Sequence, residues 1–466
     1  MYATVLALIL LAAAPSAEAI FGPDSQQRVD ALVQSTMAHQ HLPGLSLAIA
    51  RHGHVLYARG YGYRDLSKRA HADATTVYNI ASNSKQFTAT AIMLLQEEGK
   101  LRLDDRLSRY LPEFRYGAQI TLRELLTHTS GVPDYVDLND LPHRATAKQF
   151  VDLVRDAPLD FPPGARFEYS NTNYVILGML VEQVGGTSYS SFLSHRIFDP
   201  LKMTNASTRV IPASQPDGAL GYTYDNGIVL APQTPDDLGY GDGTVNASVL
   251  DLVKWDSALD GGDVVDAASW RAMTHSPLHT GYGPRGGYGF GLDLSTLYGH
   301  REVSHEGFNV GFASVNATFP DDGIEIVALS NGDPFDEDLF VKRLFAMLVA
   351  PTTEQLATDM QSAPDEDKAV TNSTKRLLTQ ICAGHVDPHA VTPDVATRLG
   401  PARARRICAD GGVAASPERF VYRGWQYRHG VNVYSYEAFY AKSVVAIDVS
   451  FASAGKIGSI DIARED

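Results

Sequence analysis

Strand-forming patterns lie at both ends of the first 350 residues of this chain, with helical patterns between them, and that order limits the fold more than any other feature of its 466 residues. Leu45-Ser46-Leu47-Ala48-Ile49-Ala50 turns at His52-Gly53-His54 into Val55-Leu56-Tyr57-Ala58, which predicts a hairpin following a helix over Asp30 to His39. Strand patterns return at Tyr288 to Leu292, Gly311 to Phe319 and Ile324 to Leu329, the last two joined by Pro320-Asp321-Asp322-Gly323. Between Thr121 and Ala272 the apolar spacing is helical, at Leu122 to Leu126, Ala147 to Val154, Asn173 to Val184 and Val249 to Leu259. One antiparallel sheet built from both chain ends and carrying a helical insertion satisfies this order, giving an α/β (α+β) fold over residues 20–350. The polar stretch 351–370, with its Pro-Asp-Glu-Asp run, suits a linker. Residues 371–466 then read as a small C-terminal α+β domain: helices at Ser373 to Ala383 and near Pro393 to Cys408, then alternating runs at Arg419 to Tyr427, Val431 to Tyr440, Ser443 to Phe451 and Ile457 to Ile462.

Charge and leader narrow the function classes. With 54 acidic against 39 basic side chains the chain carries −15, which repels a phosphate backbone and anionic lipid and argues against a nucleic-acid partner. The apolar run Val5 to Ala14, then Pro15 and the small-x-small site Ala17-Glu18-Ala19, reads as a signal peptide over residues 1–19, although Met1-Tyr2-Ala3-Thr4 lacks Lys or Arg. Cleavage near Ala19 and export, periplasmic or secreted, are the expectation. No other segment approaches the ~20 apolar residues of a membrane span. In an oxidising compartment Cys382 and Cys408 could pair, worth about 3 kcal/mol; two unpaired buried thiols are the alternative.

The chemistry concentrates around Tyr78-Asn79-Ile80-Ala81-Ser82-Asn83-Ser84-Lys85, which runs into a helical pattern over Gln86 to Glu98 closed by Gly99. Ser82 should therefore lie at a helix N-terminus, with Lys85 three residues on and on the same face, about 5–6 Å away at Cβ. A lysine kept partly neutral by burial could take the serine proton. Free N–H groups at the helix end would face a developing oxyanion, each such donor being worth ~100- to 1,000-fold in rate. The second Ser-x-x-Lys, Ser453-Ala454-Gly455-Lys456, reads as a hairpin turn and lacks the helix.

Together with Leu125-Leu126-Thr127-His128-Thr129-Ser130-Gly131-Val132-Pro133, the segment Ile80-Ala81-Ser82-Asn83-Ser84-Lys85-Gln86-Phe87 resembles the serine beta-lactamase and D-Ala-D-Ala peptidase superfamily, its class C-like branch best, and hence the penicillin-recognising serine hydrolase fold. The resemblance covers roughly residues 42–331. It implies a second element at Tyr169-Ser170-Asn171, preceded by Pro162-Pro163-Gly164: Tyr169 would relay a proton between Ser82 and the leaving group, and Asn171 would bond Lys85 and hold a substrate amide. Tyr224-Asp225-Asn226 also fits Tyr-x-Asn but reads as a turn. It further implies a third element, which we place at His305-Glu306-Gly307, opening the Gly311 strand, with Phe308 N–H joining Ser82 N–H in an oxyanion hole; His279-Thr280-Gly281 is the competing match. His305 is mostly neutral near pH 7 where the family often has lysine, and Glu306 is expected to put a negative charge beside the site. Both features disfavour beta-lactams and substrates held by a free carboxylate. The segments Pro200-Leu201-Lys202-Met203-Thr204 and Gly241 to Ser248 look like scaffold and site wall.

Bland readings account for the remaining candidates. His39-Gln40-His41 and His52-Gly53-His54 read as surface or turn residues, so no metal and no cofactor are expected. His128 reads as satisfying loop hydrogen bonds rather than as a base. No Gly-x-Ser-x-Gly elbow is present. The leading expectation is an exported serine hydrolase that is acylated at Ser82 and acts on a small ester, amide or peptide substrate. D-Ala-D-Ala carboxypeptidase, D-aminopeptidase and beta-lactamase activity are enzymatic alternatives, and a non-catalytic sensor of peptidoglycan fragments, encouraged by Glu306, is the alternative of another class. The C-terminal domain weakly resembles the cone-shaped α+β fold of nuclear transport factor type. Its Tyr422, Trp425, Tyr427, Tyr434, Tyr436 and Tyr440 read as sheet packing rather than a ligand face.

Overall fold

The computed structural model describes residues 21–137, 146–208, 217–225, 227–232, 240–275, 286–333, 335–350, 367–399, 417–428, 431–440, 443–452 and 456–465. The leader, residues 351–366 of the linker, Asn226, His279-Thr280-Gly281, Ser453-Ala454-Gly455 and Cys408 lie outside them.

The expected hairpin forms as β1 (Gly44–Arg51) and β2 (His54–Asp65), after a helix α1 that starts earlier than its apolar pattern, Pro23–His39. From the other end of the chain come β3 (Gly287–Tyr288), β4 (Asp293–Leu297), β5 (His300–Asn309), β6 (Phe312–Phe319) and β7 (Ile324–Ser330). The sheet runs from the short strand Ala70–His71 through β2, β1, β7, β6, β5 and β4 to β3, antiparallel throughout. The seam between the two chain ends is β1 on β7, in register from Leu45↔Ser330 to Arg51↔Ile324. Two expectations need correction. Residues 288–292 are not one strand, because the chain turns between β3 and β4 through Gly291 at φ +69°. His305 does not open the Gly311 strand; it sits inside its own strand, β5, which folds back on β6 at the Gly311 turn.

Strand parity sorts the core into two layers. Leu45, Leu47, Ile49, Ile326 and Ala328 point to one face, where they pack with Val29 and Val33 of α1 and with Phe340, Leu344 and Phe345 of a C-terminal helix. Ala48, Ala50, Val327 and Leu329 point to the other, toward the helical insertion. Each fully buried Leu or Ile contributes roughly 1.5–3 kcal/mol by leaving water. Central strands covered on both faces lose the polar-out alternation, which is why β1 and β7 read as nearly continuous apolar runs.

In the insertion, α2 (Ser84–Glu97) is buried from Ser84 through Leu95, so it is a central helix with no solvent face until its last turn. Around it lie α3 (Leu122–Leu126), α4 (Ala147–Val154), α5 (Asn171–Gly185) and α6 (Val249–Gly261). Thr121, Thr146 and Ser248 start α3, α4 and α6 with reciprocal capping boxes, and α5 ends at Gly186 in the left-handed region, φ +71°. The helix that closes the other face is α7 (Glu337–Val349).

Past residue 366, Asp367 caps α8 (Lys368–Cys382), which begins inside the stretch expected as linker. The short α9 (Pro393–Arg398) and the meander β8 (Arg419–Arg428), β9 (Val431–Tyr440), β10 (Ser443–Phe451) and β11 (Ile457–Glu465) follow. Leu377, Leu378 and Ile381 pack on Tyr422, Tyr436, Val445, Ile447 and Val449 as a third core. Tyr422 and Tyr436 are buried cross-strand partners, and Tyr434 and Tyr440 pack against the same cluster, so these four serve the sheet. Cys382 is disulfide-bonded. Glu437 of β9 meets Lys342 of α7 at 3.5 Å and Arg423 of β8. Among the described residues no helix is long and apolar enough to cross a membrane.

Candidate active site

A strained turn delivers Ser82 to the surface of the buried helix. Residues Ala81–Asn83 form a single turn of 3-10 helix leading into α2, and Ala81 holds φ +45°, a conformation uncommon for any residue but glycine. The surroundings over-determine it. Asn79 Oδ1 accepts the Ala81 N–H at 3.0 Å, and Ile80 N–H donates to Val245 O at 3.0 Å. Asn83 donates to Ser314 Oγ at 2.8 Å, Gln86 to Asn83 Oδ1 at 2.9 Å, and Trp255 Nε1 to Gln86 Oε1 at 3.0 Å, a relay of bonds from α6 through α2 to β6.

Lys85 Nζ lies 2.8 Å from Ser82 Oγ, 2.8 Å from Asn171 Oδ1 and 3.0 Å from the carbonyl oxygen of Asp242. Complete burial pushes its pKa down to about 8, against the opposing pull of Asp242, Asp134 and Asp293. The segment expected as site wall, residues 241–248, thus also supplies an acceptor to Lys85. Tyr169 sits immediately before α5, its ring centroid 4.8 Å from Lys85 Nζ, and Ser82 is the neighbour that draws its phenol down against burial. Burial raises the Tyr169 phenol well above its ordinary value, so it stays protonated near neutrality.

His128 acts on Tyr169 rather than on Ser82. Its Nδ1 accepts the Ser170 N–H at 3.2 Å and faces the Asn173 amide nitrogen at 3.1 Å, while its ring packs 4.4 Å from that of Tyr169. Burial and Lys85 hold the imidazole well below its usual pKa. The reading of a loop-satisfying histidine agrees with this placement.

Asp134 is the residue that sequence reasoning missed. It follows the Thr-His-Thr-Ser-Gly-Val-Pro run by one position, yet its Oδ2 accepts both the backbone N–H of Asn171 at 3.1 Å and its side-chain Nδ2–H at 2.9 Å. Asn171 is therefore held between Asp134 and Lys85, with one of its two Nδ2–H donors taken by Asp134 and its Oδ1 facing Lys85 Nζ. Beside them Tyr135 donates to Asp242 Oδ2 at 2.8 Å.

On the opposite wall, β5 pairs with β4 only as far as Ser304↔Asp293 among the described residues, so the edge of β5 beyond it opens toward Ser82. Gly307 is there because nothing larger fits: a Cβ would fall 2.2 Å from Ile80 O and 3.1 Å from Ser82 N. This close approach sets the backbone of residues 307–308 beside the Ser82 amide, the placement a two-donor oxyanion hole needs, while the Phe308 side chain is 64 % exposed. His305 is 3 % exposed, with Nδ1 donating to Glu306 O at 2.5 Å and Nε2 facing the Tyr288 hydroxyl at 3.0 Å. Burial and Lys85 push its pKa down to about 3, so the imidazole is neutral and offers no fixed charge. Glu306 does not stand beside the site as expected. Neighbouring strand residues face opposite sides of a sheet, and Glu306 is directed to Glu337 and Asp338 at the start of α7, where burial and those carboxylates hold its carboxyl well above the usual range.

Chemically, the cluster joins a hydroxyl, an amine that releases its proton far more easily than a free lysine, a phenol that keeps its proton, and backbone donors at a helix start. That set can acylate and deacylate a serine. Of the paired histidines, His39 faces Ser35 O and His41 stacks on Tyr224, and among the described residues no group of three or more His, Cys, Asp or Glu is placed to hold a metal.

A sheet assembled from both chain ends, a helical insertion and this Ser–Lys–Tyr cluster define a penicillin-recognising serine hydrolase. The chain belongs to the Beta-lactamase family, whose pattern matches residues 29–350. It is 33 % identical over 317 residues to Penicillin-binding protein 4* of Bacillus subtilis (strain 168), covering 64 % of this chain and 70 % of that protein. Among solved structures it resembles the octameric penicillin-binding protein homologue from Pyrococcus abyssi, with TM-score 0.65 and 25 % identity over 90 % of this chain and 98 % of that one. A D-stereospecific amidohydrolase from Streptomyces sp. matches with TM-score 0.60 and 27 % identity, over 71 % of this chain and 98 % of that one.

Proposed function

We propose that the protein hydrolyses a small ester or peptide-like amide through an acyl-enzyme on Ser82. Neutral Lys85 takes the Ser82 proton as Oγ attacks the carbonyl carbon, and the oxyanion rests on the Ser82 and Phe308 N–H groups. Tyr169 hands a proton to the leaving amine or alkoxide. Water, activated by the same groups, then releases the acid and regenerates Ser82. The observation that carries this reading is Lys85 Nζ at 2.8 Å from Ser82 Oγ in full burial, since burial favours the neutral amine that the step requires. Amides with an uncharged end are the preferred class, because His305 is neutral and tied to Tyr288 and so does not supply the cation a carboxylate would seek. The Streptomyces D-stereospecific amidohydrolase supports amide over ester. With Glu306 turned to the other face of the sheet, the feature that encouraged a sensory binding protein is gone.

Export to the periplasm or medium, with cleavage near Ala19, belongs to the same reading. The apolar run and small-x-small site support it, as does a disulfide at Cys382, which suits an oxidising compartment.

The test is time-resolved intact mass of the mature protein mixed with a penicillin, an activated ester or a D-amino acid amide, with adducts mapped by peptide. The expected result is turnover of amide or ester through a transient adduct on Ser82 that Ser82→Ala abolishes while keeping its fold. Undiminished turnover in folded Ser82→Ala would refute the assignment, and a lasting penicillin adduct would redirect it to a peptidase.

A further inference from the structure

We propose that Asp134 is a positioning residue of this reaction: its carboxylate locks the Asn171 amide and places a negative charge near Lys85, tuning how readily Lys85 gives up its proton. The inference rests on the reading of Lys85 as the base for Ser82. An asparagine amide has one face that accepts and one that donates, whereas a carboxylate can only accept. With Asp134 Oδ2 taking both the backbone N–H and the Nδ2–H of Asn171, the amide oxygen is left to face Lys85 Nζ, and the amide cannot flip without setting oxygen against oxygen. The same carboxylate sits at the first turn of α5, where the helix dipole favours an anion, and its Oδ1 takes the Val136 N–H at 3.2 Å.

The line Asp134–Asn171–Lys85–Ser82 therefore connects an anion to the nucleophile through a polarised amide. The charged groups that act on Asp134 are Lys85 from α2 and Asp242 from the segment before α6. Those that act on Lys85 are Asp134, Asp242 and, above the pH of about 8 to which burial raises its carboxyl, Asp293 of β4, with the Tyr169 and Tyr174 rings beside its ammonium group and the neutral His128 and His305 behind them. Burial raises the Asp134 carboxyl to about 6, so the charge is present at neutral pH and disappears on acidification. Taking it away removes one of the three influences that hold the Lys85 proton on, and the lysine becomes neutral at lower pH.

The experiment measures the rate at which p-nitrophenyl acetate acylates Ser82, by stopped flow and intact mass from pH 5 to 10, in wild type, Asp134→Asn, Asp134→Glu and Lys85→Ala. Asp134→Asn keeps the shape and one acceptor; its acid limb is expected to move to lower pH by about one unit or more, the usual effect of a nearby carboxylate. Asp134→Glu, which keeps the charge, is expected to bring the limb back toward wild type. A folded Asp134→Asn that is slower at every pH with its limb unmoved would overturn the proposal and leave Asp134 a structural residue only. If Asp134→Asn does not fold, Asp134→Glu decides alone: a limb at the wild-type position supports the role of charge, and one displaced by a unit or more refutes it. Wild type that is not acylated at Ser82, or Lys85→Ala that keeps the limb, would instead sink the underlying reading of the base.

Discussion

Gly307 shows how little room the site leaves at the scale of one residue. Its missing Cβ would overlap Ile80 O, and backbone cannot retreat there without pulling the Ser82 turn off β5. Gly307→Ala is therefore expected to slow Ser82 acylation by ~100-fold or more, the worth of one oxyanion donor, in a protein that stays folded. Stopped-flow acylation beside a melting curve checks this, and an unaltered rate would mean that β5 does not form the oxyanion wall. Ser82 and Lys85 were legible in the sequence because a local rule places them three positions apart at a helix start, and Tyr169 was legible through the resemblance of Tyr169-Ser170-Asn171 to the family's second motif. Asp134 was not legible, since its partner Asn171 lies 37 positions away. Glu306 was misplaced for a related reason. Once residues 300–309 are recognised as a strand, parity alone sends residue 306 away from residue 305, but their polar composition hid the strand.

At the scale of elements, the sheet and α6 enclose a second acidic pair that the chemistry does not use. Asp256 of α6 takes a hydrogen bond from Asn316 of β6 at 2.7 Å, and Glu325 of β7 takes the Gly53 N–H at 2.8 Å. Burial first, and for Asp256 the Glu325 charge as well, raises both carboxyls, Glu325 to about 7. A carboxyl raised from about 4.5 to about 7 on folding contributes its full stability below pH 4.5 and loses it as pH climbs through 7. Glu325→Gln, which preserves the acceptor for Gly53, should match wild type near pH 4.5 and be more stable at pH 8.5, by on the order of 1–3 kcal/mol or ~2 °C and upward in Tm. Melting curves at the two pH values test it; equal Tm differences at both would show that the carboxyl does not titrate on folding. Helices α2, α5 and α6 were foreseen from their 3.6-residue apolar period, whereas the strand expected over Tyr288 to Leu292 is mostly the turn through Gly291 between β3 and β4, because that turn falls inside an apolar stretch.

Across the whole molecule, the two units touch through charge as well as chain. Glu437 of the C-terminal sheet lies between Arg423 of its own sheet and Lys342 of α7, and those cations hold its carboxyl below the usual range despite burial. Glu437→Ala is expected to lower the melting of the C-terminal unit by about 5 °C or more, as removing one partner of a buried ion pair does, and to separate it from that of the catalytic unit while Ser82 acylation is retained. Calorimetry paired with acylation kinetics reads both, and an unchanged thermogram would show that the contact contributes nothing to their cohesion. By itself the sequence determined the sheet from two chain ends, the helical insertion, the trailing α+β unit and the Ser82–Lys85 pair, which follow from periodicity and spacing within a few turns of chain, while Tyr169 was indicated by the resemblance of its Tyr-x-Asn motif to the family's second element. Only the tertiary structure decided the proton affinity of Lys85, the commitment of Asn171 to Asp134, the neutrality of His305 and the side of the sheet that Glu306 occupies. Those depend on burial and on fields between groups distant in sequence, which exist only after the chain has folded.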